Sequence, residues 1–227
     1  MPPGRKPIFC YVTDRRAFES GPLTSDSPPG NPVSLRPRSL HDSIRLAASA
    51  GADWIQIREK DFEARALVEL ARFAVAETRA TPARVFVNDR LDVALAANAA
   101  GVHLGEKSLP LEMVTEWRRS AGLSNFTIGV SCHSLESARA AERGGADYIF
   151  FGPVFATPSK AAYGAPQGIE RLREVCATVE IPVLAIGGVK FENASACIAA
   201  GAAGIAAIRL FQEAKDGAQL AAVLKEI

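Results

Sequence analysis

Apolar residues along the chain fall into two alternating patterns. Four times an Ala-rich stretch with helical spacing runs into a small-residue hinge and then a short apolar run: GADWIQI from Gly51, AAGVHL from Ala99, GGADYIFF from Gly144 and AAGIAAI from Ala202. Glycine at such a hinge can take the left-handed conformation that closes a helix, and the run after it reads as a strand buried on both faces. Four more strands are expected at IFCYVT from Ile8, RVFVN from Arg84, FTIGVS from Phe126 and PVLAIGG from Pro182. Helical periodicity separates them over residues 40–50, 62–78, 90–98, 111–120, 135–143, 167–179, 192–200 and 219–227. Eight strands alternating with eight helices imply parallel strands joined by crossovers. At 227 residues the economical arrangement is a closed α/β barrel, a single (β/α)8 TIM barrel spanning 1–227 as one domain. The competing architecture, a doubly wound open sheet, usually carries a Gly-x-Gly-x-x-Gly turn after an early strand, and this chain has none. Residues 19–38, ESGPLTSDSPPGNPVSLRPR, break the rhythm and read as a long loop after the first strand. On a barrel that loop lies over the catalytic face, as a substrate cover or as a solvated insertion.

Composition bears on partners more than on fold. Hydrophobic residues make up 48% and charged residues 22%, ordinary for a globular chain, and 26 basic against 25 acidic side chains leave a formal charge of +1. No global field favours nucleic acid or an anionic membrane, so any affinity for anions must be local. Cys10, Cys132, Cys176 and Cys197 are widely spaced with no Cys-x-x-Cys pair, which suggests free thiols in a reducing compartment. The start, MPPGRKP, lacks the apolar core of a signal peptide, and no apolar run approaches about 18 residues. A cytoplasmic protein acting on small molecules is expected, with a homo-oligomer left open.

The active groups of such a barrel belong at the carboxyl ends of its strands. In WIQIREKD, alternation sets Gln56, Arg58 and Lys60 on one face and Ile55 and Ile57 on the other, so the polar set points into the barrel mouth. The third strand ends in Asn88-Asp89, where Asp89 is either a ligand-binding carboxylate or the cap of the next helix. The fourth gives His103, read as packed or hydrogen-bonded, then GEKSLP, where Ser108 resembles a cap. The fifth ends in Ser131-Cys132-His133-Ser134, with Ser134 as helix cap and Ser131 and His133 facing the site. After the sixth, Thr157, Ser159 and Lys160 suit oxyanion binding. Gly187-Gly188 and Ile208-Arg209 end the last two strands, the recurring phosphate site of these barrels. The picture is a cationic mouth of Arg58, Lys60, Lys160 and Arg209 around one acidic centre, Asp89. It contains no Ser/His/Asp triad and no paired-carboxylate glycosidase site, and it favours phosphate-bearing substrates.

IQIREKD, VFVNDRLDVALA, GVHLG, IGVSCHS, ADYIFFGPVFATPSK and PVLAIGGV, in that order, resemble the thiamine phosphate synthase and thiazole tautomerase superfamily. The resemblance implies a magnesium-assisted transfer in which hydroxymethylpyrimidine diphosphate loses pyrophosphate and the ring nitrogen of hydroxyethylthiazole phosphate captures the pyrimidine methylene carbon. By motif it implies that Gln56, Arg58, Lys60, Asn88 and Ser131 bind the pyrimidine diphosphate and that Asp89 binds Mg2+. Thr157, Ser159 and the backbone at Gly188, Ile208 and Arg209 would hold the thiazole phosphate, with Lys160 touching pyrophosphate. Two positions depart from the synthase pattern. HLGEKSLP puts Ser108 where synthases commonly carry a second metal-binding aspartate, and Arg209 stands where a small serine is usual. These departures keep open a metal-independent tautomerase, with His133 as acid or base, and a non-catalytic barrel that binds thiazole phosphate.

Overall fold

The computed structural model describes residues 6–19, 39–157 and 165–227. Eight parallel strands close in chain order: β1 (Ile8–Val12), β2 (Trp54–Ile57), β3 (Arg84–Asn88), β4 (Gly101–Leu104), β5 (Thr127–Cys132), β6 (Tyr148–Phe151), β7 (Val183–Ile186) and β8 (Gly204–Ala207), which returns to pair with β1. All eight expected strands are present. The helices are α1 (Arg16–Glu19), α2 (Leu40–Ala50), α3 (Ala64–Thr78), α4 (Leu91–Ala96), α5 (Leu111–Ser120), α6 (Leu135–Arg143), α7 (Gly168–Thr178), α8 (Phe191–Ala199), α9 (Arg209–Gln212) and α10 (Gly217–Glu226).

The differences from the sequence reading have local causes. The last helix starts at Gly217 rather than at residue 219 because the Asp216 carboxylate accepts the Gln219 N–H at 2.8 Å and caps it. The helix expected over 90–98 stops at Ala96, and Asn98 takes φ 53°, so at AAGVHL an asparagine rather than a glycine makes the left-handed turn. Gly51, by contrast, closes α2 at φ 96°, as the hinge pattern anticipates. Glu19 belongs to α1, and the rest of the expected loop, 20–38, lies outside the described residues together with its suggested role as a cover.

Alternation along each strand sorts side chains into two cores. Ile55, Ile57, Val85, Val87 and Ile128 point outward against helix residues such as Ile44, Leu67 and Leu70. Cys10, Val12, Phe86, Tyr148, Phe150, Leu184 and Ala206 fill the barrel interior. The floor of that interior is aromatic: the Tyr148 ring lies 4.6 Å from Trp54 and 5.7 Å from Phe86, centroid to centroid. It fits because Gly129 opposite has no side chain; a Cβ there would sit 2.1 Å from the Tyr148 ring carbon Cζ. Among the described residues, no helix is long and apolar enough to cross a membrane.

Candidate active site

At the carboxyl end of β2 the polar phase turns inward, as the alternation requires. Gln56 is buried, and its Nε2 donates to Asn88 Oδ1 at 3.0 Å. That bond uses Gln56's donor side and leaves Oε1 buried with no partner among the described residues. A buried acceptor without a donor costs about 1–3 kcal/mol, a cost that Glu59 Oε1 and Gln212 Oε1 share among the described residues. One step along, the Arg58 N–H donates to Thr13 Oγ1 at 2.8 Å and ties the β2 end to β1. Glu59, on the opposite phase, is buried; its Oε2 accepts the Arg15 N–H at 3.1 Å, and burial pushes its carboxyl up.

Arg58 and Lys60 form the cationic centre. The charge of Arg58, and then partial burial, hold the Lys60 ammonium below the ordinary lysine range; Asp89 opposes this shift and Lys107 adds to it. Lys107, in the turn after β4, is a cation that the sequence reading passed over. Its place just beyond a strand's carboxyl end is the signal that finds it. Arg209, by contrast, opens the short α9 and turns its exposed side chain toward Glu213, Nε to Oε1 4.0 Å. Of the four expected cations, Arg58 and Lys60 follow one another at the β2 end, Arg209 opens a short helix after β8, and Lys160, with Ser159, lies outside the described residues.

Asp89 does not cap a helix. Arg90 is the residue before α4, with no side-chain cap, and Asp89 stands at φ 68° with its N–H on His103 O at 2.8 Å. A non-glycine residue held in the left-handed region marks a constrained position, and here its carboxylate is left available at the mouth. Ser108 does not cap α5 either; Pro110 holds that place, while Ser108 Oγ accepts the Gly105 N–H at 2.7 Å and closes a tight turn. Among the described residues, no three His, Cys, Asp or Glu side chains gather as a metal-binding group.

His103 is the buried, hydrogen-bonded residue expected. Its Nδ1 lies 3.1 Å from the Tyr148 hydroxyl and its Nε2 2.9 Å from Ser131 Oγ, so the barrel interior orients a serine at the mouth. Burial, and secondarily the Arg58 charge, pull its pKa from 6.5 down to about 3. The folded state thus keeps the ring neutral where the unfolded chain takes up a proton. The stability this contributes is full above pH 6.5 and is lost as pH falls toward about 3. Lowering the pH from 7 to 5 is expected to cost the parent about 2 kcal/mol more than His103→Gln in urea unfolding. Equal acid sensitivity of the two proteins would acquit His103.

At the end of β5, Ser134 caps α6, in a box with Ser137, as anticipated. Cys132 is buried in the outer core and its thiol is pushed up to about 11, which makes it no nucleophile. His133 Nδ1 donates to the Gly152 carbonyl, leaving Nε2 as the basic nitrogen, 3.7 Å from Glu106 Oε1. After β7, Gly187 and Gly188 both take positive φ, 91° and 66°. The β6 loop lies directly over them: a Cβ would meet Pro153 at 2.5 Å or Ala156 O at 2.7 Å. Close packing against that loop, which leads to Thr157, requires glycine here independently of any phosphate.

Fold and site together define the class: a (β/α)8-barrel enzyme whose active face sets cations, an orphaned amide acceptor and the exposed Asp89 carboxylate at the strand ends. A family model described as thiamine monophosphate synthase matches residues 31–211, and the chain belongs to that family. It is 40% identical to a thiamine-phosphate synthase of Roseiflexus castenholzii, over 94% of this chain and 85% of that protein. It is 44% identical to one of Moorella thermoacetica, over 84% of this chain and 89% of that protein. Among solved structures, a thiamine phosphate pyrophosphorylase from Pyrococcus furiosus superposes with a TM-score of 0.77 at 35% identity, covering 96% of both chains.

Proposed function

We propose that this single barrel is a thiamine-phosphate synthase: a transferase that joins hydroxymethylpyrimidine diphosphate to hydroxyethylthiazole phosphate and releases pyrophosphate. The observation that carries the reading is the Gln56–Asn88 amide pair. Its one internal bond leaves a buried acceptor, Gln56 Oε1, without a partner among the described residues. An amide acceptor complements the exocyclic N–H of an aminopyrimidine. The diphosphate then extends toward Arg58 and Lys60.

In the reaction the bond from the pyrimidine methylene to the diphosphate oxygen breaks, its electron pair leaves with pyrophosphate, and the thiazole ring nitrogen bonds the methylene carbon. Negative charge grows on the leaving oxygen. Arg58 and Lys60, already in place, stabilise it more in the transition state than in the ground state. Lys160 would add a third charge. Ser131, oriented by His103, would hold the substrate beside the reacting carbon. Thr157, Ser159 and the backbone N–H groups at Gly188, Ile208 and Arg209 would hold the thiazole phosphate. The donor set suits magnesium brought in with the diphosphate, since that ion often binds through one or two carboxylates plus substrate phosphates, and Asp89 offers one. When bound, magnesium supplies further neutralisation of the leaving group. Four free thiols fit a reducing compartment, and we place the enzyme in the cytoplasm.

One observation favours a second reading. His133, with its tautomer set by the Gly152 carbonyl and Nε2 3.7 Å from Glu106 Oε1, suits proton transfer on a thiazole carboxylate phosphate without metal. Incubation with both synthase substrates and magnesium is expected to yield thiamine phosphate and pyrophosphate in equal amounts. No product, together with metal-independent aromatisation of the thiazole, would overturn the synthase reading in favour of the tautomerase.

A further inference from the structure

We propose that Asn193, in the first turn of α8, is a positioning residue for the thiazole phosphate: its side-chain amide holds the Gly187–Gly188 turn in the shape that presents backbone N–H groups to the phosphate. The inference rests on the reading of that turn as part of the thiazole phosphate site and extends it to a residue on the following helix.

The Asn193 amide bonds in two directions. Its Oδ1 accepts the Lys190 N–H at 2.8 Å, and its Nδ2 donates to Gly188 O at 3.0 Å. These partners fix which way the amide faces, because a backbone N–H can only donate and a carbonyl can only accept. The bond from Lys190 belongs to the start of the helix. Ser137 stands at the same third position of α6, and its hydroxyl accepts the N–H of Ser134, the residue before that helix, at 3.0 Å. An acceptor alone therefore serves the helix start. The Nδ2 bond reaches five residues back along the chain and is surplus to that role.

Gly187 and Gly188 have no side chains by which to be held, so their carbonyls are the points of attachment. The Val154 N–H donates to Ile186 O and the Phe155 N–H to Gly187 O, both at 2.9 Å, and the β6 loop thus carries the pairing past the end of β7. The next carbonyl, Gly188 O, is the one that Asn193 takes. A trans peptide sets its N–H opposite its C=O, so the bond at Gly187 O orients the Gly188 N–H, although a single bond leaves that N–H room to swing. The second anchor, one peptide further on, removes this freedom. With both planes tied, the φ of Gly188 is held at 66°, in a residue that populates either sign of φ with equal ease. A phosphate arriving at a turn released from Asn193 must first order it, which weakens binding without altering the chemistry.

The tests are urea unfolding and calorimetric titration of the full chain with hydroxyethylthiazole phosphate in the presence of magnesium and pyrophosphate. Asn193→Ser supplies the acceptor that Ser137 supplies to α6, but no group that reaches Gly188 O. It is expected to keep the parent's urea midpoint and to bind the thiazole phosphate about tenfold more weakly, the worth of one hydrogen bond. Asn193→Ala, which loses the helix-start bond as well, is expected to show the same loss of affinity at a lower midpoint. In turnover, Asn193→Ser should raise KM for the thiazole phosphate about tenfold, with kcat within about twofold and KM for the pyrimidine diphosphate unchanged. Undiminished affinity of Asn193→Ser, an equal rise in both KM values, or absence of thiazole phosphate binding by the parent overturns the proposal. If the parent binds the thiazole phosphate but forms no thiamine phosphate, the synthase reading fails, while a deficit in Asn193→Ser still upholds the positioning role.

Discussion

Gly129→Ala is expected to destabilise the protein by about 3 kcal/mol, read as a lower urea midpoint with unchanged slope. The position is an interior one on β5, paired in register with His103 and Tyr148. The new methyl would occupy space 2.1 Å from Cζ and 2.5 Å from the hydroxyl of Tyr148, a side chain with 1% exposure. Trp54 and Phe86 pack against the same ring, so Tyr148 has no adjacent void to enter. Displacing it lengthens the bond to His103 Nδ1 and leaves a buried imidazole short of a partner, which adds to the overpacking. The disturbance also reaches the mouth, because His103 positions Ser131. In a Tyr148→Leu background the ring is gone, and Gly129→Ala should then cost less than about 1 kcal/mol. Strict additivity of the two substitutions would show that the ring is not what excludes the methyl.

That coupling was invisible along the chain, and the reason is instructive. Strands and helices alternate with a period any single segment carries, so the barrel and the inward phase of Gln56, Arg58 and Lys60 were legible. The Gly129–Tyr148 contact depends on register between β5 and β6, which no local pattern encodes. Short polar side chains were ambiguous for a different reason. Asp89 and Ser108 share their chemistry with helix caps, so the cap stayed an alternative at Asp89 and was the reading at Ser108, but the chain spends Asp89 on a left-handed turn and Ser108 on closing a loop. Ser134, where the same reasoning succeeded, has Ser137 three residues on to complete a box, a second local signal that the others lack. The direction of Arg209 was beyond reach because it turns on whether a four-residue helix forms after β8, bringing Glu213 alongside. Lys107 was passed over because a turn has no periodicity to assign its side chain to a face.

Asp89→Asn is expected to lower the turnover of thiamine phosphate formation by about 10²–10³-fold while leaving the unfolding midpoint nearly unchanged. The two halves of that prediction have separate grounds. Structurally, Asp89 holds its place through the backbone, by its N–H to His103 O at 2.8 Å and a φ of 68°. Asparagine tolerates that left-handed conformation as well as aspartate does and has the same shape, so the turn survives the exchange. The carboxylate itself caps no helix and, among the described residues, has no lysine or arginine nitrogen within 4.0 Å. Removing its charge therefore breaks no structural pair. Catalytically, under the proposed function Asp89 would be the carboxylate offered to magnesium carried by the diphosphate, and a neutral amide oxygen is a far weaker ligand for a hard cation. The magnesium concentration for half-maximal rate should rise in parallel. Asp89→Ala separates the two grounds: it should lose similar activity and also about 1 kcal/mol of stability, since alanine is strained where aspartate is not. Turnover of Asp89→Asn within about threefold of the parent, at unchanged magnesium demand, would mean that the charge at this position is not used, and the free carboxylate would need another explanation.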